Sequence, residues 1–124
     1  MNTKQVIVLR KDLNMRKGKM VAQGAHASMK AILDRGFKAA DADGLFCINM
    51  TPEMEAWICG IFTKVCVGVS SEQELLAIYE VAKSAGLPCS LIQDAGRTEF
   101  GGVPTYTAVA VGPDEVEKVN AITG

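Results

Sequence analysis

Residues 16–30 read Arg-Lys-Gly-Lys-Met-Val-Ala-Gln-Gly-Ala-His-Ala-Ser-Met-Lys and follow a short apolar run, Gln5-Val6-Ile7-Val8-Leu9. Read as a pair, these two segments decide the fold. A near-continuous apolar run of this length predicts a strand covered on both faces. The longer stretch is helical in period: at about 100° per residue, Lys19, Gln23, His26 and Lys30 fall within an arc of about 60°. The other side then carries Val21, Gly24, Ala25, Ser28, Met29 and Ile32, and is expected to lie against the sheet. Arg10-Lys11-Asp12-Leu13-Asn14-Met15 joins strand to helix, and the helix is expected to end near Gly36. Ligands of open α/β sheets bind outside the strand carboxyl ends, so this basic loop lies where function is expected.

Working outward, residues 37–50 carry no clear period and read as a variable connection. Thr51-Pro52 predicts an N-cap and first helical residue for a short helix holding Met54, Trp57, Ile58 and Ile61. Thr63 to Val69 is a β-branched strand. Ser71-Glu72-Gln73-Glu74 matches a capping box, and Leu75, Leu76, Ile78, Tyr79 and Ala82 follow at helical spacing until Gly86-Leu87-Pro88. Cys89 to Gln93 and Tyr106 to Val111 are two further strands. The link between them is too short for a crossover helix, so as neighbours they run antiparallel. Gly112-Pro113-Asp114-Glu115 reads as the opening of a last helix carrying Val116, Val119 and Ile122. The expected order is β-α-α-β-α-β-β-α in one compact α/β domain over residues 1–124. No internal repeat interrupts it.

At 124 residues, 48% hydrophobic and 22% charged, the composition is that of an ordinary globular domain. A net charge of −1 excludes generally basic, histone-like binding of nucleic acid. It leaves room for a local patch, because Arg10, Lys11, Arg16, Lys17 and Lys19 crowd the first twenty residues. Cys47, Cys59, Cys66 and Cys89 show no Cys-x-x-Cys spacing, and one histidine completes no common zinc set. They are expected to be reduced core thiols. With no secretory leader and no apolar run of membrane-spanning length, the expected compartment is the cytoplasm.

Lysines at the start of a helix oppose the helix dipole, an arrangement that a bound phosphate beside Gly18 would offset. A solvated basic face accounts for the same residues. Asp94, at a strand carboxyl end before a glycine-containing loop, reads either as a base or water-orienting group, or as a turn aspartate capping its own loop. Serine-elbow, P-loop, dinucleotide and His-Glu-x-x-His motifs are absent.

The segments Leu9-Arg10-Lys11-Asp12-Leu13, Lys17-Gly18-Lys19-Met20 with Ala22-Gln23 and Ala25-His26-Ala27, Lys64-Val65, and Leu91-Ile92-Gln93-Asp94-Ala95-Gly96-Arg97-Thr98 occur in that order, followed by Thr107 and Gly112-Pro113. Together they closely resemble the archaeal and eukaryotic type of peptidyl-tRNA hydrolase, over nearly the whole chain. The resemblance implies a four-stranded mixed sheet with helices on both faces, no cofactor and no metal, and a homodimer; eukaryotic relatives often bear an amino-terminal membrane anchor, and none is expected here. It implies cleavage of the ester joining a peptide to the terminal ribose of tRNA, which recycles tRNA from abandoned translation. Lys19, His26, Asp94 and Thr98 would be catalytic. Arg10, Lys11, Lys17, Gln23, Lys64 and Thr107 would bind substrate. In the expected mechanism Asp94, helped by Thr98, positions water, Lys19 stabilises the oxyanion or a terminal phosphate, and His26 serves as proton donor to the leaving hydroxyl or as a supporting partner. A non-catalytic adaptor that binds tRNA or a protein on the same fold is the competing expectation.

Overall fold

The structure is a computed structural model that describes residues 1–40, 44–97 and 99–124. Strand β1 (Thr3–Arg10) leads into helix α1 (Lys17–Leu33), then β2 (Gly36–Lys38), β3 (Phe46–Ile48), α2 (Pro52–Cys59), β4 (Lys64–Val69), α3 (Glu72–Ser84), β5 (Cys89–Asp94), β6 (Thr105–Glu115) and α4 (Val116–Thr123). The main sheet has four strands in the order β4-β1-β6-β5. β4 is parallel to β1, and β6 is antiparallel to both β1 and β5. It follows that the carboxyl ends of β1, β4 and β5 share one edge of the domain.

β1 is covered on both faces, as its composition requires. Val6 and Val8 belong to a core with Leu75 and Ala82 of α3 and Val119 of α4. Ile7 and Leu9 belong to a second core with Ala27 and Ala31 of α1 and Ala108 and Ala110 of β6. α2 packs against β1 and β6. Its cap is the expected one, with the Thr51 hydroxyl accepting from the Met54 N–H at 3.0 Å. At α3, the Ser71 hydroxyl accepts from Glu74 N–H, while the Glu74 carboxylate reaches back to the Ser70 N–H.

Four expectations change. The connection at 37–50 holds a hairpin, β2 paired with β3, whose strands are too short to show a period. Gly112–Glu115 does not open the last helix: it extends β6, because Asp114 and Glu115 pair with Lys4 and Thr3 across a bulge. On α1 the buried residues are Gln23, Gly24, Ala27 and Ala31, whereas Val21 is 72% and Met29 58% exposed. Alanines on both elements allow a close approach of helix to sheet, and the larger apolar side chains are left outside. The cysteines are free, as expected, but Cys59 and Cys66 are exposed rather than in the core. Cys66 lies on edge strand β4, which α1 does not cover.

Candidate active site

The first turn of α1 and the carboxyl end of β5 bring Lys19 and Asp94 together. The Lys19 ammonium lies 2.8 Å from Asp94 Oδ1, with the two side chains 14% and 15% exposed. Gln23, one helical turn after Lys19 and buried, donates from Nε2 to the same oxygen at 3.3 Å. Its Oε1 accepts from the Thr107 hydroxyl at 2.5 Å. Directionality along this chain is forced, because an ionised carboxylate only accepts. Gln23 must therefore turn its NH₂ toward Asp94 and its oxygen toward Thr107, which must donate.

The second oxygen of Asp94 is fixed by its own loop: Gly96 N–H donates to Oδ2 at 2.8 Å. An aspartate accepting from the N–H two residues on is a turn device. The two readings of Asp94 are thus compatible, since one oxygen caps the loop and the other faces Lys19. Gly96 is required here. Its φ of 83° lies in the left-handed region, and an added Cβ would fall on the Val103 backbone.

The hydrogen bond from Lys19 holds the Asp94 carboxyl below the usual carboxylate range, against the opposing effect of burial and with further help from the Gly96 N–H and Gln23. At neutral pH the group is an anion, a strong acceptor and a weak base. The Lys19 ammonium also sits 5.7 Å from the centroid of the Phe100 ring.

Of the residues expected to line the site, Lys19, Gln23, Asp94 and Thr107 form this network. Thr107 is fully buried beneath Gln23, with its hydroxyl committed to Gln23 Oε1. His26 is exposed one turn beyond Gln23, on the wall of a groove shared with Met29 and Gln93. Thr98 lies outside the described residues. Lys11, Arg16 and Lys17 are exposed near the start of α1. Arg10 is committed internally: it bonds Asp12 at 2.6 Å and the Tyr106 carbonyl at 3.1 Å, and its side chain is 11% exposed.

Lys64 is not brought to the crevice. Parallel pairing sets it beside Gln5, at the opposite end of the sheet and about 17 Å away by strand rise alone. Its ammonium lies instead over the rings of Phe62 and Trp57, at 3.1 Å and 4.9 Å from their centroids. Sequence reasoning missed the Gly96 N–H and the burial of Thr107. The Asp-Ala-Gly spacing is a signal for the first; none marks the second. No cluster of three or more His, Cys, Asp or Glu suited to a metal ion occurs among the described residues.

Fold and site together define an open α/β domain whose polar crevice, at the strand carboxyl ends, suits hydrolytic chemistry on an anionic substrate. The family profile described as Peptidyl-tRNA hydrolase PTH2 matches residues 3–124. The chain is 47% identical to a Peptidyl-tRNA hydrolase of Methanocaldococcus jannaschii, over 98% of this chain and 95% of that one. Identity to the proteins of the same name from Methanothermobacter thermautotrophicus and Methanopyrus kandleri is 40% and 37%, each over 98% of this chain and 95% and 93% of theirs. This chain belongs to the PTH2 family of peptidyl-tRNA hydrolases.

Proposed function

We propose that this chain hydrolyses the ester between the carboxyl end of a peptide and the terminal ribose of tRNA, returning free tRNA to translation in the cytoplasm. The observation that carries the reading is the oriented Lys19–Asp94 pair, held on one oxygen by Gln23, which Thr107 orients, and on the other by Gly96, in a chain matched to the family over residues 3–124.

Asp94 stays ionised and accepts from the attacking water, aiming a lone pair at the ester carbon rather than removing the proton outright. Lys19 is close enough to serve the oxyanion as charge develops on the carbonyl oxygen. As the new C–O bond forms the attacking water releases its proton to bulk water, and as the ester C–O bond breaks the ribose oxygen takes a proton from His26, on the same helix face, which regains one from solvent. Thr98 is assigned to the water in the same scheme. Lys11, Arg16 and Lys17 contact tRNA phosphates and position the substrate without reading its sequence. Arg10 braces the loop, and Lys64 has no role in the crevice.

The chain acts as a homodimer in this reading. A largely apolar cavity of about 500 Å³ between α1 and β4 is lined by Ile7, Leu9, Met20, Val21 and Cys66, with Lys17 also among the lining residues. A second copy covers it. Val21→Glu is expected to shift the species seen by sedimentation from dimer to monomer.

The test of function is release of free tRNA from N-acetyl-aminoacyl-tRNA by the purified chain. Turnover is the expected result. Binding of tRNA without turnover would make the protein an adaptor.

A further inference from the structure

A second groove opens from the crevice and runs away from the basic loop. It has a volume of about 610 Å³ and lies between α1 and β5, lined by His26, Met29, Lys30 and Leu33 on the helix and by Leu91 and Gln93 on the strand. Its upper end adjoins the catalytic cluster, since Gln93 precedes Asp94 and His26 lies one turn after Gln23. At about 1.5 Å per helical residue, the stretch from His26 to Leu33 spans roughly 10 Å, enough for three or four extended residues.

β5 is an edge strand, with β6 on one side only. Gly112 N–H donates to the Pro88 carbonyl at 2.7 Å, which shows that this carbonyl faces β6. By the alternation of an antiparallel ladder, Ser90 also turns toward β6, while the N–H and C=O of Leu91 point outward at the free edge. The floor of the groove therefore offers backbone donors and acceptors beside apolar side chains. An extended peptide of any sequence can be held in this way by strand addition.

We propose that this groove receives the peptide of peptidyl-tRNA as an added strand. The proposal rests on the hydrolase reading above and extends it by naming where the acyl half of the substrate lies. Two observations fix the occupant. Exposed basic residues Lys11, Arg16 and Lys17 lie at the start of α1, on the tRNA side, whereas the groove follows the rest of the helix in the other direction. The groove also reaches Gln93, the residue before Asp94, where the carboxyl end of the peptide has to be. Polarity follows: with its carboxyl end at Asp94, the peptide runs parallel to β5. The charged lining residues are Lys30 and Asp34, which pair with each other at 2.9 Å, and beyond them and His26 the lining is uncharged, so recognition goes through the peptide backbone and its apolar contacts, and tolerates many side chains.

The experiment compares kcat/KM of the unmodified protein on tRNA carrying an N-acetyl-aminoacyl group and peptides of two to six residues with the same final residue. The expected rate rises over the first three or four residues and then levels. N-methylating successive peptide nitrogens should cost about fivefold at alternate positions and little between them, the signature of one strand edge bonding another. Met29→Glu, which places a charge on the groove wall at an exposed helical position, should bring the ratio between tetrapeptide and N-acetyl-aminoacyl substrates down to about one. Equal rates on all lengths, with Met29→Glu leaving the ratio unchanged, would overturn the groove assignment and leave the hydrolase reading standing. Turnover of none of these substrates would overturn both.

Discussion

Thr107→Val replaces a buried hydroxyl with a methyl of nearly the same size and removes the only donor that the described residues offer to Gln23 Oε1. Because Gln23 is 2% exposed, water does not take over that bond. An unsatisfied buried acceptor costs about 1–3 kcal/mol, which for a chain of this length lowers Tm by roughly 3–10 °C. The same change frees the Gln23 amide to turn, and with it the 3.3 Å bond to Asp94 Oδ1. A hydrogen bond to a charged group contributes about 1.5–3 kcal/mol, a ceiling of roughly ten- to a hundredfold in rate if all of it is expressed in the transition state. Lys19 and the Gly96 N–H still hold Asp94, so a fall in kcat of about tenfold is expected, with tRNA affinity retained. Thermal unfolding together with hydrolysis of N-acetyl-aminoacyl-tRNA measures both effects. Thr107→Ser restores the donor and should recover most of the rate. A valine variant as stable and as active as the parent, or a serine variant as impaired as valine, would refute the orienting role of this hydroxyl.

Binding of tRNA should weaken steeply with salt through counterion release, and Lys17→Ala should shallow the slope of log K against log salt by about one; an unchanged slope would remove Lys17 from the phosphate contacts. Asp94 has a folded pKa lowered by Lys19, so its charge contributes stability that is present above the unfolded value of about 3.9 and is lost as pH falls through the lowered folded value. The stability deficit of Asp94→Asn in denaturant titrations should therefore be level from about pH 5 to 8 and shrink below about pH 4; a deficit that persists unchanged at pH 3 would contradict the pairing. Gly96→Ala should lower both Tm and activity, because it sets a side chain against the Val103 backbone and strains the turn that holds Asp94 Oδ2.

Much of this fold can be read from the chain because single local rules act there without competition. Val6 to Leu9 are apolar without alternation because both faces of β1 are covered, and Thr51-Pro52 and Ser71 to Glu74 name their own helix starts. That Lys19, Gln23 and Asp94 come together was legible for the same reason, since they lie at a helix start and a strand end. Where a pattern depends on a neighbour, it was not legible. The buried side of α1 is set by how closely alanines on β6 let the helix approach, so a face drawn by hydrophobicity put Val21 and Met29 inside and Gln23 outside. Strand direction decides where Lys64 goes, and no local residue states it. Thr107 resembles any strand threonine until the buried amide above it is seen.

The central claim is that the charge on Asp94 serves the chemical step while tRNA is held elsewhere. Asp94→Asn keeps size and much of the hydrogen bonding but removes the charge, and hydrolysis of N-acetyl-aminoacyl-tRNA measured in parallel with tRNA affinity separates the two. Turnover is predicted to fall by about 10²-fold or more with affinity retained. Near-normal turnover by this variant would contradict the account.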